Sequence, residues 1–299
     1  MSTLVTGLSG FVGSYCAEHL SGVSDLLHDG RLAEICDREE VRSAVDGVRP
    51  DTVIHLAAQS SVPASTADPA KAYRVNFEGT LNLLLALRDC RFRGRMLYVG
   101  SADAYGIVPE AELPLMEDRP LRPLNPYAAS KTAAEALCYQ WSQAGPFEII
   151  MVRPFNHIGP RQSTCFAVAD FGRQIAMAGR GLSLPVLSVG DIDATRDFTD
   201  VRDIVRAYAL LLEHGRNGHV YNVCSGRERS LRELIDGLCA AAEIEMQIQV
   251  EPGRLRPVEQ RRMCGSYDKL HAETGWEPAI PLAQTLRDIL QYWMERETP

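Results

Sequence analysis

No apolar run in this chain approaches the ~20 residues that a bilayer-spanning helix needs, and the N-terminus enters its first strand without a charged and apolar leader. A membrane partner is therefore not expected. No Cys-x-x-Cys occurs either. The eight cysteines (Cys16, Cys36, Cys90, Cys138, Cys165, Cys224, Cys239 and Cys264) are scattered, most of them in apolar segments. They read as buried thiols of a reducing cytoplasm, not as disulfides or metal ligands, and no metal site is expected. Positive charge is in deficit: 31 Lys and Arg against 39 Asp and Glu leave a net charge of −8, which argues against a nucleic-acid surface. Internal repeats and low-complexity tracts are missing. What the chain does have is 45% hydrophobic content over 299 residues, enough to bury a full core as one large or two intimately joined domains.

Short apolar runs alternate with helix-period segments, the pattern of a parallel sheet covered by helices on both faces. Strands are expected near residues 2–6, 34–36, 52–56, 95–100, 149–153 and 220–223. A further strand is expected within 21–32, where only Val23, Leu26 and Leu27 hint at it. The longest helix is expected over about 69–90. Another begins behind Asn125-Pro126, a cap residue followed by proline in the first turn, and Ser230-Leu-Arg-Glu233 reads as a capping box. The fold class expected is α/β, a Rossmann-type doubly wound parallel sheet with a smaller C-terminal substrate-binding lobe. The sheet domain would take residues 1–155 with a returning segment near 199–226, and the lobe 156–198 and 227–299.

Two stretches carry the chemistry. The first is Thr6-Gly7-Leu8-Ser9-Gly10-Phe11-Val12-Gly13, which has the strand, glycine turn and helix order of a dinucleotide site. Gly7 would allow the turn, Gly10 a close backbone approach to a pyrophosphate, and Gly13 tight packing of helix on strand, with Phe11 and Val12 opening the helix. The second is Tyr127-Ala-Ala-Ser-Lys131, whose spacing puts a phenol and an ammonium on one helical face, where the cation is expected to lower the phenol's pKa. Between them, His55-Leu56-Ala57-Ala58 closes a strand with small residues that leave room for a flat ring, His55 itself reading as a satisfied strand histidine. Asp37 is read either as a hydrogen-bond partner of an adenine amine or as a helix N-cap. Ser101 and Asp103 appear where the 95–100 strand opens. Ser101 can hydrogen-bond the oxygen that Tyr127 protonates, and Asp103 either works as an acid or base toward substrate or caps its turn. The ionisable residues Asp25, Asp29 and Arg31 lie where an acid would bind the ribose diol of NAD, or a base the phosphate of NADP.

Taken together, the glycine turn, the His55 segment, Asn76-x-x-Gly79-Thr80-x-Asn82, Ser101-x-x-x-Tyr105-Gly106, Tyr127-x-x-x-Lys131 and Arg153-Pro154-Phe155-Asn156 resemble the extended short-chain dehydrogenase/reductases that act on nucleotide sugars. The resemblance covers essentially the whole chain. It implies a catalytic triad of Ser101, Tyr127 and Lys131, supported by Asn76, and a coenzyme that is NADPH or NADH, with NADPH preferred for a biosynthetic reduction. Phe155 to Pro160, Val189-Gly190-Asp191-Ile192, Arg196 to Val201, Tyr221 to Gly226 and Arg256-Pro257-Val258-Glu259 are similar to the GDP-mannose branch. This implies Asn156 and Arg196 on a diphosphate, Arg256 on a phosphate, Glu259 on ribose hydroxyls, and Val189 in the same substrate site. Arginine forks suit phosphate oxygens and a carboxylate suits a vicinal diol. Arg161 stands where glycine is common, and its role is left open. The implied reaction is reduction of the C4 ketone of a GDP-linked 4-keto-6-deoxyhexose to GDP-D-rhamnose. Members that dehydrate GDP-mannose usually carry Thr-Ser-Glu or Thr-Asp-Glu where this chain has Ser101-Ala102-Asp103, so elimination machinery is expected to be incomplete. An epimerase, and a sensor that binds coenzyme without catalysis, are the other readings. Fold analogy implies a homodimer through the 69–90 and 126–143 helices.

Overall fold

The computed structural model describes residues 2–254 and 260–296. Along the chain, β1 (Thr3–Thr6) and β2 (Val23–Ser24) are followed by a small hairpin, β3 (Leu27–His28) with β4 (Arg31–Leu32), and then by β5 (Thr52–His55), β6 (Arg95–Val99) and β7 (Glu148–Pro154). Next, β8 (Asn156–Ile158), β9 (Val186–Val189) and β10 (Thr195–Asp200) leave for a second lobe. From there β11 (Val220–Val223) returns to the main sheet, and β12 (Glu228–Ser230) and β13 (Gln247–Val250) complete the lobe. The main sheet has six parallel strands in the order β11-β7-β6-β5-β1-β2. The chain runs outward from β1 to β2 and then crosses to β5 on the other side of β1. The crevice where a ligand can enter therefore lies beyond the carboxyl ends of β1 and β5.

Successive strand side chains point to opposite faces, which sorts the core into two layers. Leu4, Val53, Met96, Tyr98, Ile149 and Met151 fill one layer. Val5, Ile54, Leu97, Ile150 and Val152 fill the other. On the Val5 side lies α1 (Phe11–His19). On the Leu4 side lies α2 (Arg38–Val48), joined there, after the short α3 (Val62–Ala67), by α4 (Pro69–Tyr73), a π-turn over Arg74–Glu78, α5 (Gly79–Asp89) and α6 (Pro126–Ala144). The lobe takes α7 (Ala167–Gly179), α8 (Val201–His214) returns beside α1, α9 (Leu231–Ala242) belongs to the lobe, α10 (Asp268–Thr274) joins α8, and α11 (Leu282–Arg296) closes the lobe against α7 and α9. The caps follow the sequence: Asn125 Oδ1 accepts from Ala128 N at 2.8 Å, and Ser230 with Glu233 forms the capping box.

Two elements differ from expectation. Residues 34–36 form a turn and no strand, because the place beside β1 is filled by Val23 and Ser24, which pair with Thr3 and Leu4. Ile35 instead packs under Gly79, where an added Cβ would stand 2.9 Å from its Cγ1. The helix expected over 69–90 is continuous but bulges at Arg74–Glu78, and Asn76 sits inside the bulge. Such π-turns release backbone groups from the regular ladder and are frequent at functional sites. Among the described residues, no helix is long and apolar enough to cross a membrane.

Candidate active site

The glycine turn stands at the mouth of the crevice. Gly7 has φ +78° and lies so close to β5's exit that an added Cβ would be 3.2 Å from both the N and Cα of Ala57. At Gly13 an added Cβ would come within 2.3 Å of Gly7 O, so only glycine lets α1 sit this tightly on the turn. The N-cap residue of α1, Gly10, makes no side-chain cap bond, which leaves the first amides and the positive end of the helix for an anion. This cradle fits the pyrophosphate of a dinucleotide. Asp25 braces it from the end of β2: its carboxylate accepts from Gly7 N at 3.2 Å, Leu8 N at 3.0 Å and Leu26 N at 2.8 Å. The sequence placed Asp25 in this region without assigning that bond set. Asp37 caps α2, with Oδ1 accepting from Glu39 N and Glu40 N at 3.0 Å each.

Tyr127 lies in the first turn of α6, and Ser101 stands at the end of β6's exit, where its Oγ accepts from Asp103 N at 3.2 Å. Burial raises the Tyr127 pKa, the charge of Asp103 raises it further, and the Ser101 hydroxyl opposes them. The phenol therefore keeps its proton at neutral pH. The expectation that Lys131 lowers this pKa is not met. Lys131 Nζ turns to the carbonyl of Val99, donating at 2.7 Å, and lies 5.3 Å from the centroid of the Tyr98 ring. Helical spacing put the two groups on one face, but the carbonyl at the end of β6 captured the ammonium. Burial brings the Lys131 pKa down to about 8. Ala102, between Ser101 and Asp103, buries its methyl in an apolar cluster with Tyr105, Leu115 and Phe155.

Behind these groups runs a chain of hydrogen bonds whose directions are fixed. Thr80 Oγ1 donates to Asn76 O at 2.6 Å, so His55 Nε2, 2.9 Å away, is the donor to Thr80. The other nitrogen, Nδ1, then accepts from Thr6 Oγ1 at 2.7 Å, while Thr6 Oγ1 accepts from Ala57 N at 3.0 Å. His55 is thus a neutral, satisfied strand histidine, its pKa lowered to about 3 by burial and by the charge of Lys131. The Asn76 side chain joins three segments: Nδ2 donates to Gln59 O at 3.3 Å and to Ser130 Oγ at 2.9 Å, and Oδ1 accepts from Gln59 N at 2.8 Å. Ser130 Oγ in turn donates to Tyr127 O at 2.8 Å, which ties the Tyr127 turn to the segment after β5. A second brace is the buried pair of Arg153 and Glu135, with Nε–Oε2 at 3.0 Å and Nη2–Oε1 at 2.6 Å, linking β7 to α6. Arg153 Nη1 also donates to Tyr105 OH at 3.0 Å, and Tyr105 OH to Asn222 Oδ1 at 2.7 Å. Arg153, Tyr105 and Asn222 stand in the family motifs and Glu135 in the expected 126–143 helix, but no local signal paired Glu135 with Arg153.

Of the residues expected to face a sugar nucleotide, Asn156 is exposed at the start of β8, beside Phe198 of β10. Arg196 is on β10, where Nη1 donates to Thr195 O at 2.7 Å. The side chain of Val189 is fully buried in the lobe core, and its carbonyl accepts from Glu251 N at 2.9 Å. Arg256 and Glu259 lie outside the described residues. Leu56, Ala57 and Ala58 are part-exposed along the crevice next to Gly7. Among the described residues, no group of three or more His, Cys, Asp and Glu side chains could hold a metal ion.

A family model described as GDP-mannose 4,6 dehydratase matches residues 27–289. The GDP-6-deoxy-D-mannose reductase of Pseudomonas aeruginosa is 46% identical, the match covering 98% of this chain and 97% of that protein. The solved structure of RMD from Pseudomonas aeruginosa complexed with NADPH superposes with a TM-score of 0.93 at 44% identity, over 99% of this chain and 100% of that one. That of the Thermus thermophilus UDP-glucose 4-epimerase in complex with NAD superposes with a TM-score of 0.87 at 32% identity, over 99% of this chain and 100% of that one.

Proposed function

We propose, from the premise that this chain belongs to the family described as GDP-mannose 4,6 dehydratase, that it reduces the C4 ketone of GDP-4-dehydro-6-deoxy-D-mannose to GDP-D-rhamnose. The observation that carries the reading is a Tyr127 phenol that burial and Asp103 keep protonated, with the Ser101 hydroxyl acting on it and Ala102 in place of an acid. The likeness to a GDP-6-deoxy-D-mannose reductase supports the substrate, and the NADPH-bound structure supports NADPH over NADH as reductant.

When bound, the dihydronicotinamide supplies the hydride to the C4 carbon. Tyr127 gives its proton to the developing alkoxide, and its raised pKa suits it to this, because an acid must hold its proton until the substrate oxygen needs it. Ser101 donates to the same oxygen and offsets the negative charge gathering there. Lys131, freed from Val99, would hold the nicotinamide ribose and keep a positive charge near the phenolate that Tyr127 leaves behind. Asn76 and Ser130 hold the Tyr127 turn in place. Asn156 and Arg196, with Arg256 and Glu259, would bind the GDP moiety, and the cradle residues Gly7, Gly10, Phe11, Val12 and Gly13 the coenzyme pyrophosphate.

One carboxylate, Asp103, does act on Tyr127, and this favours the dehydratase as the second reading. A single assay separates the readings. With GDP-4-dehydro-6-deoxy-D-mannose and NADPH, a reductase consumes coenzyme in step with product, and an epimerase forms product without net consumption. A dehydratase acts on GDP-mannose with its coenzyme unchanged, and a sensor does none of these. No NADPH consumption with the ketosugar would end the reductase assignment.

The chain is further proposed to pair as a homodimer through the α4–α5 run and α6, whose Tyr73 and Tyr139 are exposed. Light scattering at twice the chain mass, lost on Tyr139→Glu, would test it. All eight cysteines are free thiols, in keeping with a reducing cytoplasm.

A further inference from the structure

We infer that Arg161 is a positioning residue, a strap that ties the coenzyme-cradle helix to the sugar-nucleotide lobe so that the two ligands bind interdependently. The inference rests on the proposed function. Phe11, Tyr15 and Glu18 recur at i, i+4 and i+7, one face of α1, and all three meet the segment 157–161 that follows Asn156. The Phe11 ring lies parallel to the His157 ring, with centroids 6.1 Å apart and 4° between planes. Tyr15 OH donates to Pro160 O at 2.9 Å. The Arg161 guanidinium carbon lies 3.9 Å from the centroid of the Tyr15 ring, Nη2 donates to Glu18 Oε2 at 3.0 Å, and Nη1 donates to Glu18 Oε1. Gly159 completes the fit: an added Cβ would stand 3.6 Å from both Tyr15 OH and Phe11 Cζ, and 2.6 Å from Val201 Cγ1.

The backbone of Arg161 has φ +73°, a left-handed conformation that glycine adopts freely and arginine does not. The side chain holds it there by stacking on one α1 residue and pairing with another. As an ion pair the contact contributes little to stability, since the Arg161 and Glu18 side chains are 29% and 52% exposed. Its consequence is geometric. Pyrophosphate bound at the N-terminus of α1 fixes that helix, and the strap carries the constraint across 143 residues of sequence to the segment that continues β8 beyond Asn156. Each ligand then lowers the ordering cost of the other, and the coupling must be reciprocal.

The test is calorimetric titration of the intact protein with GDP, alone and saturated with NADPH. The parent should bind GDP at least about fivefold more tightly in the presence of NADPH. Arg161→Gly, which relieves the backbone and should keep the fold, is expected to bring that ratio to about one, with the mirror loss when NADPH is titrated with and without GDP. Glu18→Gln should lower the ratio from the other end, and Arg161→Lys, which keeps the charge over Tyr15, should restore part of it. A ratio in Arg161→Gly equal to the parent's, or a parent that binds both ligands without coupling, would overturn this inference alone. A parent that binds NADPH but no GDP would overturn the functional reading with it.

Discussion

Replacing Lys131 by methionine should make the protein more stable at pH 7 while abolishing turnover. Lys131 is 4% exposed, and burial lowers the pKa of its ammonium from 10.5 to about 8. That displacement is worth roughly 3 kcal/mol, at about 1.4 kcal/mol per pH unit, and the fold disfavours the charged lysine by that order. The sign follows from the proton count. Below pH 8 the lysine is charged in both folded and unfolded chains, and the whole penalty is present. Between about 8 and 10.5 the unfolded chain binds more protons than the folded one, so stability rises with pH, and above 10.5 the penalty has gone. Methionine removes the charge at similar volume but strands the Val99 carbonyl, 2.7 Å from Nζ, at a cost of about 1–2 kcal/mol. The net gain at pH 7 is about 1–2 kcal/mol, or a Tm higher by about 2–4 °C for a chain of this size. Thermal or urea denaturation of both proteins at pH 7 and pH 10 reads it directly. At pH 10 the advantage should shrink to nothing or reverse. A variant less stable than the parent at pH 7, or a difference that does not change with pH, would refute the reasoning.

Tyr127→Phe should bind NADPH within about twofold of the parent yet lose at least about 100-fold in kcat, the contribution of a positioned proton donor; unchanged turnover would remove Tyr127 from the chemistry. Gly13→Ala places a Cβ 2.3 Å from Gly7 O and 2.6 Å from Leu8 Cα, and should weaken NADPH binding at least about tenfold in a fluorescence titration. Glu135→Ala leaves Arg153 charged and buried and should cost about 3–5 kcal/mol in urea denaturation. The double change Glu135→Leu with Arg153→Met should recover most of that loss, and equal instability of single and double variants would count against the pair.

The site was readable wherever its parts lie close along the chain. Gly7, Gly10 and Gly13 share one turn, Tyr127 and Lys131 share one helical face, and Asn125-Pro126 announces the helix that carries them. Strand placement was readable where apolar runs were long enough to be buried on both faces, as in β5, β6, β7 and β11. The second strand was legible only as a weak hint within 21–32, which the structure places at its start. Val23 and Ser24 form only two residues of ladder, and their strand character comes from pairing with Thr3 and Leu4, while the more apolar Ile35 serves as a knob under α5.

Spacing along the chain thus carried the family resemblance, the glycine turn and the proposed proton donor, because each is a matter of neighbours within one or two helical turns. The state of that donor came from elsewhere. Val99 draws off the Lys131 ammonium, Asp103 and burial hold the Tyr127 proton, Glu135 meets Arg153, and Glu18 meets Arg161. These partners come from separate elements, and desolvation and charge act through space. Their effects first exist when the sheet, its two helical layers and the lobe have closed around them.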